Sequence, residues 1–217
     1  MGNDLSVVRA ARVSYNAAWR AGEDEKSDAK LLSYLWRNGH TSPFEAVTFT
    51  FEVKAPIFVF RQWHRHRTQS FNELSARYRE LPEEFYIPKP EQIGVQSTNN
   101  KQGRQLSMLE PDEIHCREIQ AQRLRDHCVA AFQVYRSLLC DGWPRELARL
   151  ALPLNTYSHM FTSMNLLNLF RFCTLRSHEH AQFEIKVYSD AMIQLIGQIV
   201  PTCVAAWKKG VADAQPR

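Results

Sequence analysis

The stretch from Val47 to Arg79, VTFTFEVKAPIFVFRQWHRHRTQSFNELSARYR, decides how this chain is read. Its first seven residues, Val47 to Val53, alternate apolar and polar side chains and are rich in β-branched and aromatic types, which predicts a strand. Pro56 then opens IFVFRQWH, an apolar segment read as a short buried helix that delivers a basic stretch. From Arg61 to Arg79 the chain carries five arginines (Arg61, Arg65, Arg67, Arg77, Arg79) and two histidines (His64, His66) against one carboxylate, Glu73. That is a formal charge of +4, equal to the net charge of all 217 residues. The remainder sums to about zero, so the positive charge is a local device for holding an anion. Phe71, Leu74 and Tyr78 fit neither period cleanly, and Ser70 to Tyr78 reads as strand or loop.

Working outward toward the N-terminus, HTSPFEA (His40 to Ala46) reads as a capping box, with Ser42 as cap, Pro43 at the first helical position and Glu45 three residues after the cap. A helix from about Asp28 through Trp36 precedes it and stops at Asn38-Gly39. A first helix is capped by Asp4 and turns Leu5, Val8, Ala11 and Tyr15 to one side. Toward the C-terminus, Leu81 to Leu109 is rich in proline and glycine and has only Phe85 to Ile87 looking strand-like, so it reads as a long surface excursion. A long amphipathic helix is expected from Pro111 to Cys140 with Gly142 as stop, followed by a short one in PRELARLAL. Asn155 to Met164 is ambiguous. Asn165 caps LLNLFRFCTLRSH, and a last helix runs from about Ala181 to Val200, with Pro201 kinking or ending it before Trp207. With helix dominant and strands gathered between Val47 and Ile87, the expected architecture is a single α+β domain over residues 1–217: a small antiparallel or mixed sheet flanked by helices, with long C-terminal helices.

Composition narrows the function classes. Hydrophobic residues at 44% and charged ones at 23% are ordinary for a globular chain, which excludes general disorder. No apolar run approaches the roughly 18 residues a membrane span needs, and MGNDLSVVRAARVS lacks a signal-peptide core, so a cytoplasmic location is expected. The five cysteines (Cys116, Cys128, Cys140, Cys173, Cys203) are widely spaced and read as small buried hydrophobes rather than a disulfide or zinc framework. Neither H-x-H pair, His64/His66 or His178/His180, is a metal site on spacing alone, and no metal is expected.

Three readings of the basic stretch compete. A solvated charged face would interleave acids, whereas these arginines sit beside Trp63, Phe71 and Tyr78. Nucleic-acid binding also uses arginine beside aromatics, and a basic nucleic-acid-binding protein is the alternative from another class, although no helix-turn-helix, RNP or finger signature is present. Phosphate recognition in a small-molecule site is the sharper reading, because guanidinium groups fork two donors onto phosphate oxygens. Ser70, Asn72, Glu73 and Ser75 suit the reading of a sugar or a base edge. Five arginines exceed one phosphate's needs and suit a nucleotide beside a dinucleotide cofactor.

Arg65-His66-Arg67 followed by Ser75 at the eighth position after Arg67 resembles the RHR-x7-S signature of the flavin-dependent thymidylate synthases. AARVSY near Arg12, GHTSPFE near His40, FEVKAPIFV, GWPRELARLALPLN near Arg149 and LRSHEHAQFEI near Arg176 are similar to family segments in family order, covering most of the chain outside Leu81 to Leu109. The resemblance implies a homotetramer of α+β subunits with sites shared between subunits. It implies an enzyme that binds FAD and methylates dUMP to dTMP with methylenetetrahydrofolate as one-carbon donor and NADPH as reductant.

The same resemblance carries roles onto individual residues. Ser42, Glu45, Arg65, His66 and Arg67 would lie at the FAD, together with Glu73, Asn165 and Arg171. Gln62, Trp63, His64, Arg65 and Glu73 would line the dUMP site. Leu74, Ser75, Ala76 and Arg77 would complete it, with Arg149 contributed by another subunit. Arg176 would be catalytic, favouring the N3-ionised uracil, and His40 would handle folate. Spacing alone puts Asn165, Asn168, Phe172 and Arg176 on one helix face. Ser75 has no evident base beside it and reads as a substrate-binding residue rather than a nucleophile. The chain departs from the family at Leu167, where an arginine is usual, and at Arg171, a later polar position; an FAD-binding homologue without synthase activity is the reading those departures support. The family also commonly has a strand before its first helix, and Met1-Gly2-Asn3-Asp4 shows none.

Overall fold

The computed structural model describes residues 2–106 and 109–214, so Ser107 and Met108 of the predicted excursion lie outside the described residues. The helices are α1 (Asp4–Arg12), α2 (Glu25–Arg37), α3 (Ile57–Trp63), α4 (Pro90–Ile93), α5 (Pro111–Cys140), α6 (Arg145–Ala148), α7 (Leu166–Arg176), α8 (Phe183–Ile196) and α9 (Pro201–Ala214). The strands are β1 (Thr48–Pro56), β2 (Ser70–Glu73), β3 (Val95–Gln96), β4 (Arg104–Gln105) and β5 (Tyr157–Asn165). A three-stranded sheet has the order β1-β5-β2, and β3 pairs antiparallel with β4 in a separate ribbon. This is the α+β class expected. The chain divides into two compact units, one of Met1–Phe51, His66–Phe71 and Thr162–Arg217, the other of Glu52–Arg65 and Asn72–Phe161.

The first unit is built on α7, whose Asn165 cap accepts a hydrogen bond from the Asn168 N–H at 2.9 Å, as expected of an N-cap asparagine. Leu166, Leu169, Phe170, Phe172 and Cys173 are fully buried, so this helix is apolar nearly all round. Phe170 stacks on Trp207 of α9 with centroids 5.0 Å apart and meets Trp36 of α2 edge-on at 5.3 Å. The α9 backbone comes close enough to Trp36 that a Cβ at Gly210 would stand 2.5 Å from the indole, so only glycine fits there. The thiol of Cys173 is pushed up to about 12 by burial, which makes it inert.

The structure corrects several local readings. Asn3, not Asp4, caps α1 through the Ser6 N–H. The Asp4 carboxylate instead accepts the Thr202 and Cys203 N–H groups at 2.9 Å each and so caps α9. Pro201 does not merely end the preceding helix; it occupies the first position of a new one, where a missing N–H costs nothing. Val7 and Val8 are the buried residues of α1, while Tyr15 is 88% exposed, because a 3-10 turn and a left-handed Asn16 break the helical register after Arg12. The SPFEA segment is a 3-10 turn, Ser42–Ala46, and has no side-chain cap.

The second unit has its own core of Phe132, Tyr135 and Ala148, against which Phe85, Leu138, Leu139 and Leu152 pack. Tyr135 Oη accepts the Leu81 N–H, so the start of the predicted excursion is tied to α5. Phe85 bridges Thr156, and Tyr86 and Tyr157 make further backbone bonds with Asn155 and Glu84, which gives the FYI segment the extended form expected. Cys128 is buried, but Cys116 and Cys140 are exposed on α5 and are not the core hydrophobes that their spacing suggested.

Candidate active site

Within the first unit the predicted site residues converge on α7. Arg176 Nε donates to His66 Nε2 at 2.9 Å, and the His66 ring meets Phe172 edge-on at 4.8 Å. The face read from spacing is therefore the one that receives His66. Burial, aided by the Arg176 charge, lowers the His66 pKa from 6.5 to about 4, so the imidazole is neutral at physiological pH and its Nε2 can accept. Burial also lowers the Arg176 pKa from its ordinary value, leaving the guanidinium charged. The Ser42–Ala46 turn packs against α7, so exposed Ser42 and Glu45 lie beside the helix that carries Asn165 and Arg171.

Leu167 and Arg171 differ sharply. Leu167 is buried in the core, whereas Arg171 is exposed and donates to Asn168 Oδ1 at 3.4 Å. Exposed His40 contacts the Tyr34 ring edge-on at 5.9 Å. Arg67 is exposed and, among the described residues, has no carboxylate partner.

Within the second unit α3 ends in Gln62 and buried Trp63, followed by its C-cap His64 and by exposed Arg65, the last also lacking a carboxylate partner among the described residues. Glu73 ends β2, and one of its oxygens, Oε1, accepts from the buried Ser158 hydroxyl at 2.9 Å. Its other oxygen, Oε2, lies 3.9 Å from His64 Nε2. Leu74 N–H donates to the His159 carbonyl at 2.8 Å, which fixes where the next four residues leave the sheet. Ser75 Oγ accepts the Arg77 N–H at 3.3 Å, a local turn bond, and Ala76 is buried. Glu146 gathers two guanidinium groups: its carboxylate stands 3.4 Å from Arg77 Nε and its carbonyl accepts from Arg149 Nε at 3.1 Å.

Sequence reasoning missed Ser158. Its only signal is a hydroxyl at an inward position of an alternating strand, and Asn155 to Met164 is ambiguous as a strand because hydroxyls replace apolar residues at Ser158 and Thr162. His178 and His180 are exposed with rings 5.0 Å apart, and among the described residues there is no group of three or more potential metal ligands.

Residues 1–202 match the family model described as thymidylate synthase complementing protein, Thy1. The chain belongs to that family. Among curated Thy1 relatives, the flavin-dependent thymidylate synthase of Ehrlichia ruminantium (strain Gardel) is 40% identical over 99% of this chain and 70% of its own length. That of Thermotoga neapolitana is 42% identical over 96% of this chain and 88% of its own. Among solved structures, the UMP/dUMP methylase PolB from Streptomyces cacaoi, bound with 5-Br dUMP, superposes with a TM-score of 0.83 at 36% identity, covering 96% of this chain and 91% of that one. A Thy1 match along nearly the whole chain sets the nucleic-acid-binding reading aside.

The donor set fits a flavin dinucleotide. Exposed Arg67 and Arg171 present guanidinium groups of the kind that bind a diphosphate, and the neutral His66 offers an uncharged ring edge. No helix of the described residues is long and apolar enough to cross a membrane.

Proposed function

We propose that this enzyme converts dUMP to dTMP, taking its one-carbon unit from methylenetetrahydrofolate and using NADPH to reduce FAD. The observation that carries the reading is the 2.9 Å bond from Arg176 to a neutral His66, which orients a guanidinium without cancelling any of its charge. C5 of uracil becomes nucleophilic when negative charge accumulates in the ring, and a fixed guanidinium at N3 and O4 stabilises that charge where water is scarce. Arg176 takes this role.

FAD, when bound, supplies the redox chemistry. Ser42, Glu45, Arg65, His66 and Arg67 would hold it, together with Asn165 and Arg171, whose guanidinium would serve where Leu167 offers none. The nucleotide is held by Gln62, Trp63, His64 and Arg65 and by the run Glu73, Leu74, Ser75, Ala76 and Arg77. Ser75 binds rather than attacks, because its hydroxyl is engaged by its own turn and no base activates it. His40, exposed at the end of α2, serves the folate.

In a homotetramer Arg149 reaches the nucleotide of a neighbouring copy. The cytoplasm is the expected location. Purified protein should be yellow with bound flavin and should form dTMP from dUMP, NADPH and methylenetetrahydrofolate. Bound FAD without product would leave only the flavin-binding half of the reading standing.

A further inference from the structure

We propose that Ser158 is a positioning residue for the nucleotide, its buried hydroxyl fixing the carboxylate of Glu73 so that one oxygen stays available to a hydroxyl or N–H of the bound dUMP. The inference rests on the proposed place of Glu73 in the lining of the nucleotide site.

Ser158 is 2% exposed, at one of the inward positions of β5. A hydroxyl taken out of water there costs free energy unless it is bonded, and the bond it makes is to Glu73 Oε1 at 2.9 Å. Glu73 is different in kind: its side chain is 32% exposed, so the carboxylate stands at the boundary between packed protein and solvent. Oε1 is turned inward to the serine. Oε2 is 3.9 Å from His64 Nε2, an electrostatic neighbour beyond hydrogen-bond reach, and keeps its accepting capacity.

The terminal torsion of a glutamate is broad and roughly two-fold, so an unanchored carboxylate samples many orientations. One bond to a rigid strand removes that freedom before the ligand arrives. The hydroxyl is neutral, so its bond orients the carboxylate without opposing its charge, as a lysine or arginine in the same place would. The adjoining backbone is held as well, since Leu74 N–H donates to the carbonyl of His159, the neighbour of Ser158 on β5.

The test measures dUMP affinity by equilibrium binding, together with the thermal midpoint, in the full FAD-loaded enzyme. Ser158→Ala should weaken dUMP binding by a few-fold to about tenfold, the cost of ordering one freed side chain on binding, with KM for dUMP raised and kcat less affected. Ser158→Thr, which keeps the hydroxyl, should restore wild-type affinity. In a Glu73→Ala background Ser158→Ala should add no further loss, because the serine acts only through the carboxylate. Unchanged affinity in Ser158→Ala overturns the proposal, as does an equal loss in the Glu73→Ala background. A lowered thermal midpoint with affinity not restored by Ser158→Thr would mark a purely structural role and also overturn it. Wild-type enzyme that binds no dUMP overturns the functional reading and this inference together.

Discussion

Two contacts, one in each unit, solve the same problem with opposite charges. On α7 the Arg176 guanidinium is oriented by the neutral imidazole of His66, and on β5 the Glu73 carboxylate is oriented by the neutral hydroxyl of Ser158. A salt bridge in either place would have oriented the group equally well and removed its field in doing so. The Arg12–Asp28 pair shows the other outcome: its carboxylate is buried and also accepts the Gly22 N–H, and its business is to hold the chain between α1 and α2. A neutral partner thus orients a charge without opposing it, whereas the Asp28 carboxylate offsets the charge of Arg12. Arg77, paired with Glu146 at an exposed site, falls between the two, since exposed pairs are worth only about 0–1 kcal/mol and yield readily to a ligand.

The largest effect that would break this comparison is at Arg176. Arg176→Ala should lower turnover by about 10²–10³-fold, the range for removing one preorganised donor, with FAD retained. Arg176→Lys sharpens it: a lysine restores the charge but not the planar fork that His66 orients, so turnover should stay low. A lysine variant with near wild-type turnover would mean that charge alone matters. Next in size, Arg67→Ala should weaken FAD retention by about tenfold or more, read as flavin absorbance after gel filtration, because a charge-assisted phosphate contact is lost. Flavin content equal to wild type would remove Arg67 from the cofactor site.

The smallest effect is in the pH dependence of stability, where the sign is set by His66. Above pH 6.5 the imidazole is neutral in both folded and unfolded chains. Between 6.5 and about 4 the unfolded chain takes up the proton and the folded one does not, so the unfolding free energy falls as pH is lowered through that window and levels off below it. His66→Gln should flatten this part of the profile in urea titrations. An unchanged slope would mean that His66 is protonated in the folded state and cannot accept from Arg176.

How legible these features are in the sequence depends on the range over which each is specified. β1 and α3 are readable because alternation and Pro56 are local signals, and α7 because Asn165 announces it. β5, the middle strand of the sheet, is not. Its buried positions include Ser158 and Thr162, so hydroxyls stand where the apolar half of the alternation should be, and the polar partners that satisfy them, Glu73 and Gln69, lie 85 and 93 residues away. Cap assignment fails for a similar reason, since Asp4 is spent on a helix that starts almost two hundred residues later, leaving Asn3 to serve its own. The basic run from Arg61 to Arg79 is legible as charge density. The place of Arg176 beside it is not, because the His66–Arg176 bond spans 110 residues.

The Asp4 cap also bears on the order in which a nascent chain can mature. Asp4 is translated well before its two donors, Thr202 and Cys203, which follow it by 198 and 199 residues. The segment Asn72–Phe161, with its own core, has been fully translated before either donor exists. The Asp4 contact therefore closes only after Thr202 and Cys203 have been made, and a chain stalled before Thr202 could not form it.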